Sequence, residues 1–195
     1  MTKIIGLTGG IGSGKTTIAN YFHSFGIPLY IADDEARKLM QSIKIVNSIK
    51  DAFGESLFEN DILIREKLAK IVFDNPEKLQ ILNAIVHPAV KSHFKNWLLQ
   101  HQSNSFVLYE AAILFESGSH KNCDFVIAVT APVDIRIERV MKRDKTTREL
   151  ILKRMEAQWT DEQRISKSNF VIENISLDKA KQKAEEILKI LEKRQ

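Results

Sequence analysis

Residues Gly9 to Thr16 read Gly-Gly-Ile-Gly-Ser-Gly-Lys-Thr and satisfy G-x-x-x-x-G-K-[ST]. These residue types at this spacing hold phosphate. Glycines let backbone N–H groups turn inward around phosphate oxygens, with the positive end of a helix behind them. Lys15 can reach the β- and γ-phosphates of a nucleoside triphosphate, and the Thr16 hydroxyl can ligate Mg²⁺. The apolar run Ile4-Ile5-Gly6-Leu7 precedes the loop, and a helical pattern from Thr17 to Phe25 follows it. Strand, loop and helix in that order are the context the motif requires. A nucleoside triphosphate with Mg²⁺ is therefore the expected ligand, held by Gly10, Ile11, Gly12, Ser13, Gly14, Lys15, Thr16 and Thr17.

Further candidates lie at strand ends. Asp33 and Asp34 follow the run Leu29-Tyr30-Ile31-Ala32, and a carboxylate there can accept the proton of an attacking hydroxyl. Either aspartate equally suits a helix N-cap. Glu110 closes the run Phe106-Val107-Leu108-Tyr109, where a carboxylate holds Mg²⁺ or its waters, or simply ends a strand at the surface. Arg136, Arg139 and Arg143 share a helical face at i, i+3, i+7, and Arg154 falls on the next predicted helix. Arg143 and Arg154 are favoured as cations that close over the transferring phosphate, against a solvated basic face as the alternative. Five histidines (23, 87, 93, 101, 120) show no metal-site spacing, and His87 alone reads as a helix-end packing residue. Cys123 has no catalytic partner and is expected to be buried.

The elements that must position these groups follow from periodicity. Five apolar runs read as strands: Lys3–Leu7, Leu29–Ile31, Phe106–Tyr109, Phe125–Thr130 and Phe170–Ile172. Near-continuous apolar runs separated by helical patterns predict a parallel sheet covered on both faces. Residues 34–100 show helical periodicity and no convincing strand, and they read as a helical substrate-binding insertion in a single domain of residues 1–195. His87-Pro88 is expected to break that insertion, with Pro88 starting a new helix. Thr146–Glu149 and Thr160–Gln163 match capping boxes, and a final helix from about Leu177 carries Ala180, Ala184, Ile187, Leu188 and Leu191 as core.

Composition narrows the partners. The net charge is +4, and residues 136–158 hold eight basic side chains against four acidic ones, so the excess is local. A compact patch fits a phosphate clamp better than a polynucleotide footprint. No apolar run approaches the roughly 20 residues that cross a bilayer. One cysteine excludes an internal disulfide and suits a reducing cytosol, so a cytoplasmic protein is expected. A regulatory GTPase lacks support: the nearest guanine-motif string is Met141-Lys142-Arg143-Asp144, and Asp51-Ala52-Phe53-Gly54 lies in the helical stretch.

Taken in order, the motifs resemble the dephospho-CoA kinase family, which is nucleoside-monophosphate-kinase-like, over essentially the whole chain. The resemblance rests on Leu7–Thr16, Ala32-Asp33, Ala36-Arg37, Asp61 to Leu68 with Arg65, Val72-Phe73 and His87-Pro88. It continues through Glu110–Glu116, then Arg143-Asp144, Thr146, Glu149, Arg154 and Gln158, and Glu173-Asn174. It implies a P-loop-type three-layer α/β/α fold with a five-stranded parallel sheet, a helical acceptor-binding insertion and a lid over residues 136–158. It implies transfer of the ATP γ-phosphate to the ribose 3′-hydroxyl of dephospho-CoA by a monomer or small homo-oligomer. By position it makes Asp33 the base, and Lys15, Arg143 and Arg154 the cations on the phosphates. Thr8, Arg65, His87, Glu110 and Leu114 would lie near the acceptor, Asn174 near ATP, and Thr16 and Glu110 at the metal. Three residues depart from the family pattern: Ile31 and Glu110 stand where aspartate is usual, and Ala112 where proline is usual. Another small-molecule kinase of the same fold is the nearest rival.

Overall fold

The structure, a computed structural model, describes residues 2–73 and 75–194, and of Phe73 the backbone alone. Strand β1 (Lys3–Thr8) runs into the glycine loop, helix α1 (Lys15–His23) leaves it, and β2 (Leu29–Ile31) follows. The chain then builds a second compact unit, Ala32–Gln100. This unit holds α2 (Ala32–Leu39), α3 (Ile43–Phe53), β3 (Phe58–Glu59), β4 (Ile62–Leu63), α4 (Arg65–Phe73) and α5 (Pro76–Leu99). The first unit resumes with β5 (Phe106–Glu110), β6 (Phe125–Thr130), α6 (Val133–Asp144), α7 (Arg148–Glu156), α8 (Asp161–Lys167), β7 (Phe170–Glu173) and α9 (Leu177–Glu192).

The first unit is a three-layer α/β fold around a five-stranded parallel sheet of order β2-β5-β1-β6-β7. Alternate strand residues supply one face. Ile5, Leu7, Phe106, Leu108, Ile127, Val129 and Ile172 pack onto Ile18, Ala19 and Phe22 of α1 and Ala180, Ala184, Ile187 and Leu191 of α9. Burying each large aliphatic chain here contributes about 1.5–3 kcal/mol, and of the predicted α9 stripe only Leu188 stays partly buried against this core. On the opposite face Gly6 lets Leu114 and Cys123 approach β1, because a Cβ would meet Leu114 Cδ2 at 2.8 Å and the Cys123 sulfur at 2.9 Å. Cys123 is only partly buried, not fully as expected, yet burial and the neighbouring Asp124 push its thiol up to about 12.

Parallel pairing extends one residue beyond three of the apolar runs. It brings Thr8, Glu110 and Glu173 into strands, opposite Ala128, Leu7 and Thr130. Polar groups thus sit at the carboxyl ends of the sheet, on either side of β1, where strand order reverses and ligands of open α/β sheets bind.

The second unit has its own core of Ile45, Ile49, Leu57, Leu63, Leu68 and Val72, with Leu82, Ile85 and Ala89 of α5 against it. Two features differ from the sequence reading. A hairpin, β3–β4, pairs Phe58 with Leu63 and Glu59 with Ile62. Its turn residues Asn60 and Asp61 have φ 48° and 62°, the two-residue geometry that asparagine and aspartate tolerate. Strands of two residues are too short to show alternation. Helix α5 also continues through Pro88 for 24 residues. Proline removes one helical N–H, and buried Val86 and Val90 flank it where the helix carries on. In the first unit, α7 is capped by Thr147, which accepts from the Leu150 N–H, one residue after the predicted Thr146. The Thr160–Gln163 capping box forms as expected at α8.

Candidate active site

The glycine loop closes on itself through a Ser13 N–H bond to the Gly10 carbonyl, 3.0 Å. Gly12 and Gly14 have φ 80° and 85°, a region that side chains disfavour. Space forbids them too: a Cβ would strike the Arg136 carbonyl from Gly12 and the Asn174 amide from Gly14. Helix α1 opens at Lys15 with no acidic residue in its first turn, so its unpaired N–H groups keep their positive potential. Around them lies a cavity of about 270 Å³ lined by Gly10, Gly12, Gly14, Lys15, Thr16, Thr17, Arg139, Val140 and Arg143. Three cations and no carboxylate are among those residues. The cavity suits a polyanion.

Glu110 is 1% exposed, and both its oxygens are committed. Oε1 pairs with Lys15 Nζ at 3.1 Å, and Oε2 accepts from Thr16 Oγ1 at 3.1 Å. A carboxylate so deeply placed must be paired, and here it joins the loop lysine to the loop threonine. It is not a surface strand end. A hydroxyl beside one carboxylate also matches the sparse protein ligation of Mg²⁺, which takes the rest of its sphere from water and phosphates. Thr8 is fully buried, and its hydroxyl donates to the Ala112 carbonyl at 3.3 Å. Leu114 is fully buried against Gly6, so its side chain presents core packing rather than a ligand surface.

Several residues hold the loop from behind. Asn174 is 4% exposed; its Nδ2 donates to the Ser13 carbonyl at 2.8 Å and its backbone N–H to Thr130 at 2.7 Å. Its amide therefore supports the loop whose glycines line the cavity. Spacing puts Arg136 on one helical face with Arg139 and Arg143, yet it is 5% exposed. Its Nε donates to the Ile11 carbonyl at 2.9 Å and its Nη1 pairs with Asp161 at 3.0 Å. Arg164 is buried beside it, held by Glu116 at 3.3 Å and Asp161 at 3.5 Å, and burial lowers its pKa. Sequence reading missed Arg164, Asp161 and Glu116 as partners; the only local signal was Asp161 following a capping threonine. Arg139 donates to the Asn174 carbonyl at 2.9 Å while lining the cavity.

Arg143 also lines the cavity and is largely exposed. Asp144 grips it in bidentate fashion at 2.6 and 3.0 Å and reaches Arg154 at 3.5 Å, so one carboxylate gathers both favoured arginines. The Arg143 guanidinium holds the Asp144 carboxyl below its ordinary range, so the pairing persists at neutral pH.

In the second unit α2 begins at Ala32, which places Asp33 and Asp34 in its first turn rather than at the N-cap. The two differ. Asp34 is paired with Arg37 at 2.8 Å, while no described side chain pairs with the Asp33 carboxylate. Arg65 is exposed and donates to the Arg37 carbonyl at 2.9 Å. His87 is half-buried inside α5, and burial lowers its pKa, so it is neutral at neutral pH.

Comparison with known proteins supplies the family. The dephospho-CoA kinase family model matches residues 3–179. The dephospho-CoA kinase of Fusobacterium nucleatum is 38% identical over 174 residues, covering 89% of this chain and 90% of that protein. The solved structure of TT1252 from Thermus thermophilus superposes with a TM-score of 0.88 at 32% identity, covering 97% of each chain. Shikimate kinase from Acinetobacter baumannii shares the fold alone, with a TM-score of 0.54 at 16% identity. A glycine loop at the sheet's switch point, its lysine held by a buried strand-end carboxylate, and these matches lead to one conclusion: this chain belongs to the dephospho-CoA kinase family.

Proposed function

We propose that this kinase transfers the γ-phosphoryl group of ATP to the ribose 3′-hydroxyl of dephospho-CoA, giving coenzyme A and ADP, with Asp33 as the base. The observation that carries the ATP half is the cavity of about 270 Å³ where the loop backbone and Lys15, Arg139 and Arg143 converge. Asp33 accepts the hydroxyl proton as the oxygen attacks phosphorus and the bond to the ADP oxygen breaks. Its unpaired carboxylate, in contrast to the Arg37-bound Asp34, supports that assignment. Chain connectivity ties it to the end of β2, two residues beyond Ile31. Arg65 and neutral His87 serve as donors to the acceptor, with residues 34–100 as the acceptor-binding insertion. Of the other acceptor residues implied by the resemblance, Thr8 acts through its bond to the Ala112 carbonyl, Leu114 through packing, and Glu110 through the carboxylate that holds Lys15 and Thr16.

Phosphoryl transfer involves little covalent work by the protein, so positioning and charge neutralisation dominate. Lys15 meets the β- and γ-phosphates, while Arg143 and Arg154, from a lid over residues 136–158, meet the charge that spreads in the transition state. Mg²⁺, held at Thr16 and Glu110, would neutralise phosphate oxygens. A single cysteine suits a reducing cytoplasm, where the enzyme works as a monomer or small homo-oligomer on small molecules. Among the described residues no helix is long and apolar enough to cross a membrane.

The test is Mg²⁺-dependent ADP release with dephospho-CoA, adenosine, CMP, UMP, shikimate or water as acceptor. Turnover confined to dephospho-CoA, with coenzyme A identified by mass, is expected. Turnover with shikimate or a nucleoside instead would overturn the acceptor while leaving the ATP site.

A further inference from the structure

Ile11, at the tip of the glycine loop, is gripped on three sides by residues outside the loop. Its N–H donates to Gln158 Oε1 at 3.0 Å, and its carbonyl accepts from Arg136 Nε at 2.9 Å. Its side chain packs on a cluster of Ile137, Val140, Ile151 and Met155. The two hydrogen bonds fix two successive peptide planes. In a planar trans peptide the carbonyl and the N–H point in opposite directions. Holding the Ile11 carbonyl toward Arg136 therefore aims the Gly12 N–H away from Arg136, and Gly12 lines the cavity. Holding the Ile11 N–H toward Gln158 turns the Gly10 carbonyl the other way, where it accepts the Ser13 N–H at 3.0 Å.

Arg136 is itself pinned. Asp161, the first residue of α8, pairs with Arg136 and with buried Arg164, and Thr160 and Gln163 cap that helix. Gln158 lies between α7 and α8, four residues beyond Arg154, which Asp144 joins to the cavity-lining Arg143. Unlike Arg136, Gln158 is partly exposed.

We infer that Gln158 and Arg136 are positioning residues that set the loop's affinity for the nucleotide through Ile11, and that Gln158 ties the loop to the segment bearing Arg154. The inference rests on the loop being the ATP site. A part-buried N–H left without its acceptor seeks another partner, so the loop without Gln158 relaxes to conformations that solvate the Ile11 N–H and misalign its neighbours. Phosphate affinity falls with the population of the aligned loop.

The experiment is titration calorimetry of MgATP without acceptor on the wild type, Gln158→Met and Gln158→Glu, with amide exchange at Ile11 followed by NMR. Methionine keeps the size and loses the acceptor; glutamate keeps an acceptor oxygen. Gln158→Met is expected to weaken MgATP about five- to tenfold and to speed Ile11 exchange, with kcat at saturating ATP within about twofold and Tm nearly unchanged. Gln158→Glu is expected to restore Ile11 protection. Arg136→Lys, which keeps a charge beside Asp161 but loses the directed Nε–H, should likewise weaken MgATP more than it lowers kcat. Wild-type affinity in Gln158→Met, unchanged Ile11 exchange, or a Tm loss that accounts for the weaker binding would each overturn the inference. A wild-type protein that fails to bind MgATP would instead overturn the reading of the loop as the ATP site.

Discussion

Around the glycine loop the shaping side chains are buried and paired, whereas the candidate groups of residues 32–100 stand partly or fully exposed with few partners. Glu110 serves Lys15 and Thr16 at once, and Asn174 and Arg136 each hold a loop carbonyl. By contrast Arg65 is exposed and donates to a backbone carbonyl, and Asp33 has no side-chain partner among the described residues. The difference has a physical reason. Phosphate is bound by backbone dipoles that must be aligned before the ligand arrives, since unaligned N–H groups prefer water. Side chains that meet an acceptor by charge and hydrogen bonding can be ordered by the acceptor itself, at an entropic cost paid on binding.

Substitutions in the two regions should therefore fail differently. The largest effect is expected at Asp33→Asn, which should cut turnover at least about a hundredfold while MgATP affinity, read by calorimetry, stays at the wild-type value. Near-normal turnover would remove Asp33 as base. Next come Arg143→Ala and Arg154→Ala, each expected to lower kcat/KM about ten- to hundredfold, beyond any loss in ATP affinity. Matching losses in affinity and kcat/KM would mean that these arginines bind the ground state only. Asn174→Ala should behave as a loop defect, raising the KM for ATP and lowering stability by about 1–3 kcal/mol as the Ser13 carbonyl loses its buried partner. A urea midpoint equal to the wild type would contradict that support role.

The smallest effect concerns pH. Burial lowers the His87 pKa below the ordinary value of 6.5, so the unfolded chain takes up the proton first as pH falls. The stability tied to neutral His87 is complete above that ordinary value and is lost as pH drops from there toward the folded-state pKa. His87→Gln should flatten this part of the slope between about pH 7.5 and about pH 5.5 in urea titrations. An unchanged slope would show that His87 does not titrate differently in the two states.

What was legible in the chain was local. The loop motif, the strand before it and the helix after it are contiguous, so composition and spacing sufficed for Lys15, Thr16 and the parallel sheet. Glu110 was visible because an apolar run ended in a carboxylate. The hairpin at Asn60-Asp61 and the continuation of α5 through Pro88 were not, since two-residue strands carry no period and a tolerated proline depends on what packs beside it.

The arginines mark the boundary most clearly. Spacing placed Arg136, Arg139 and Arg143 on one helical face, which is a statement about the helix alone. Tertiary structure separated them: Arg136 turned inward because Asp161, 25 residues later, and the Ile11 carbonyl, 125 residues earlier, meet there. Arg143 stayed at the cavity with Asp144. By itself the sequence determined that phosphate would be bound and where along the chain. Which cations line the cavity and which support the loop from behind was decided only by the fold, because a guanidinium can be buried only where distant partners converge to pair it.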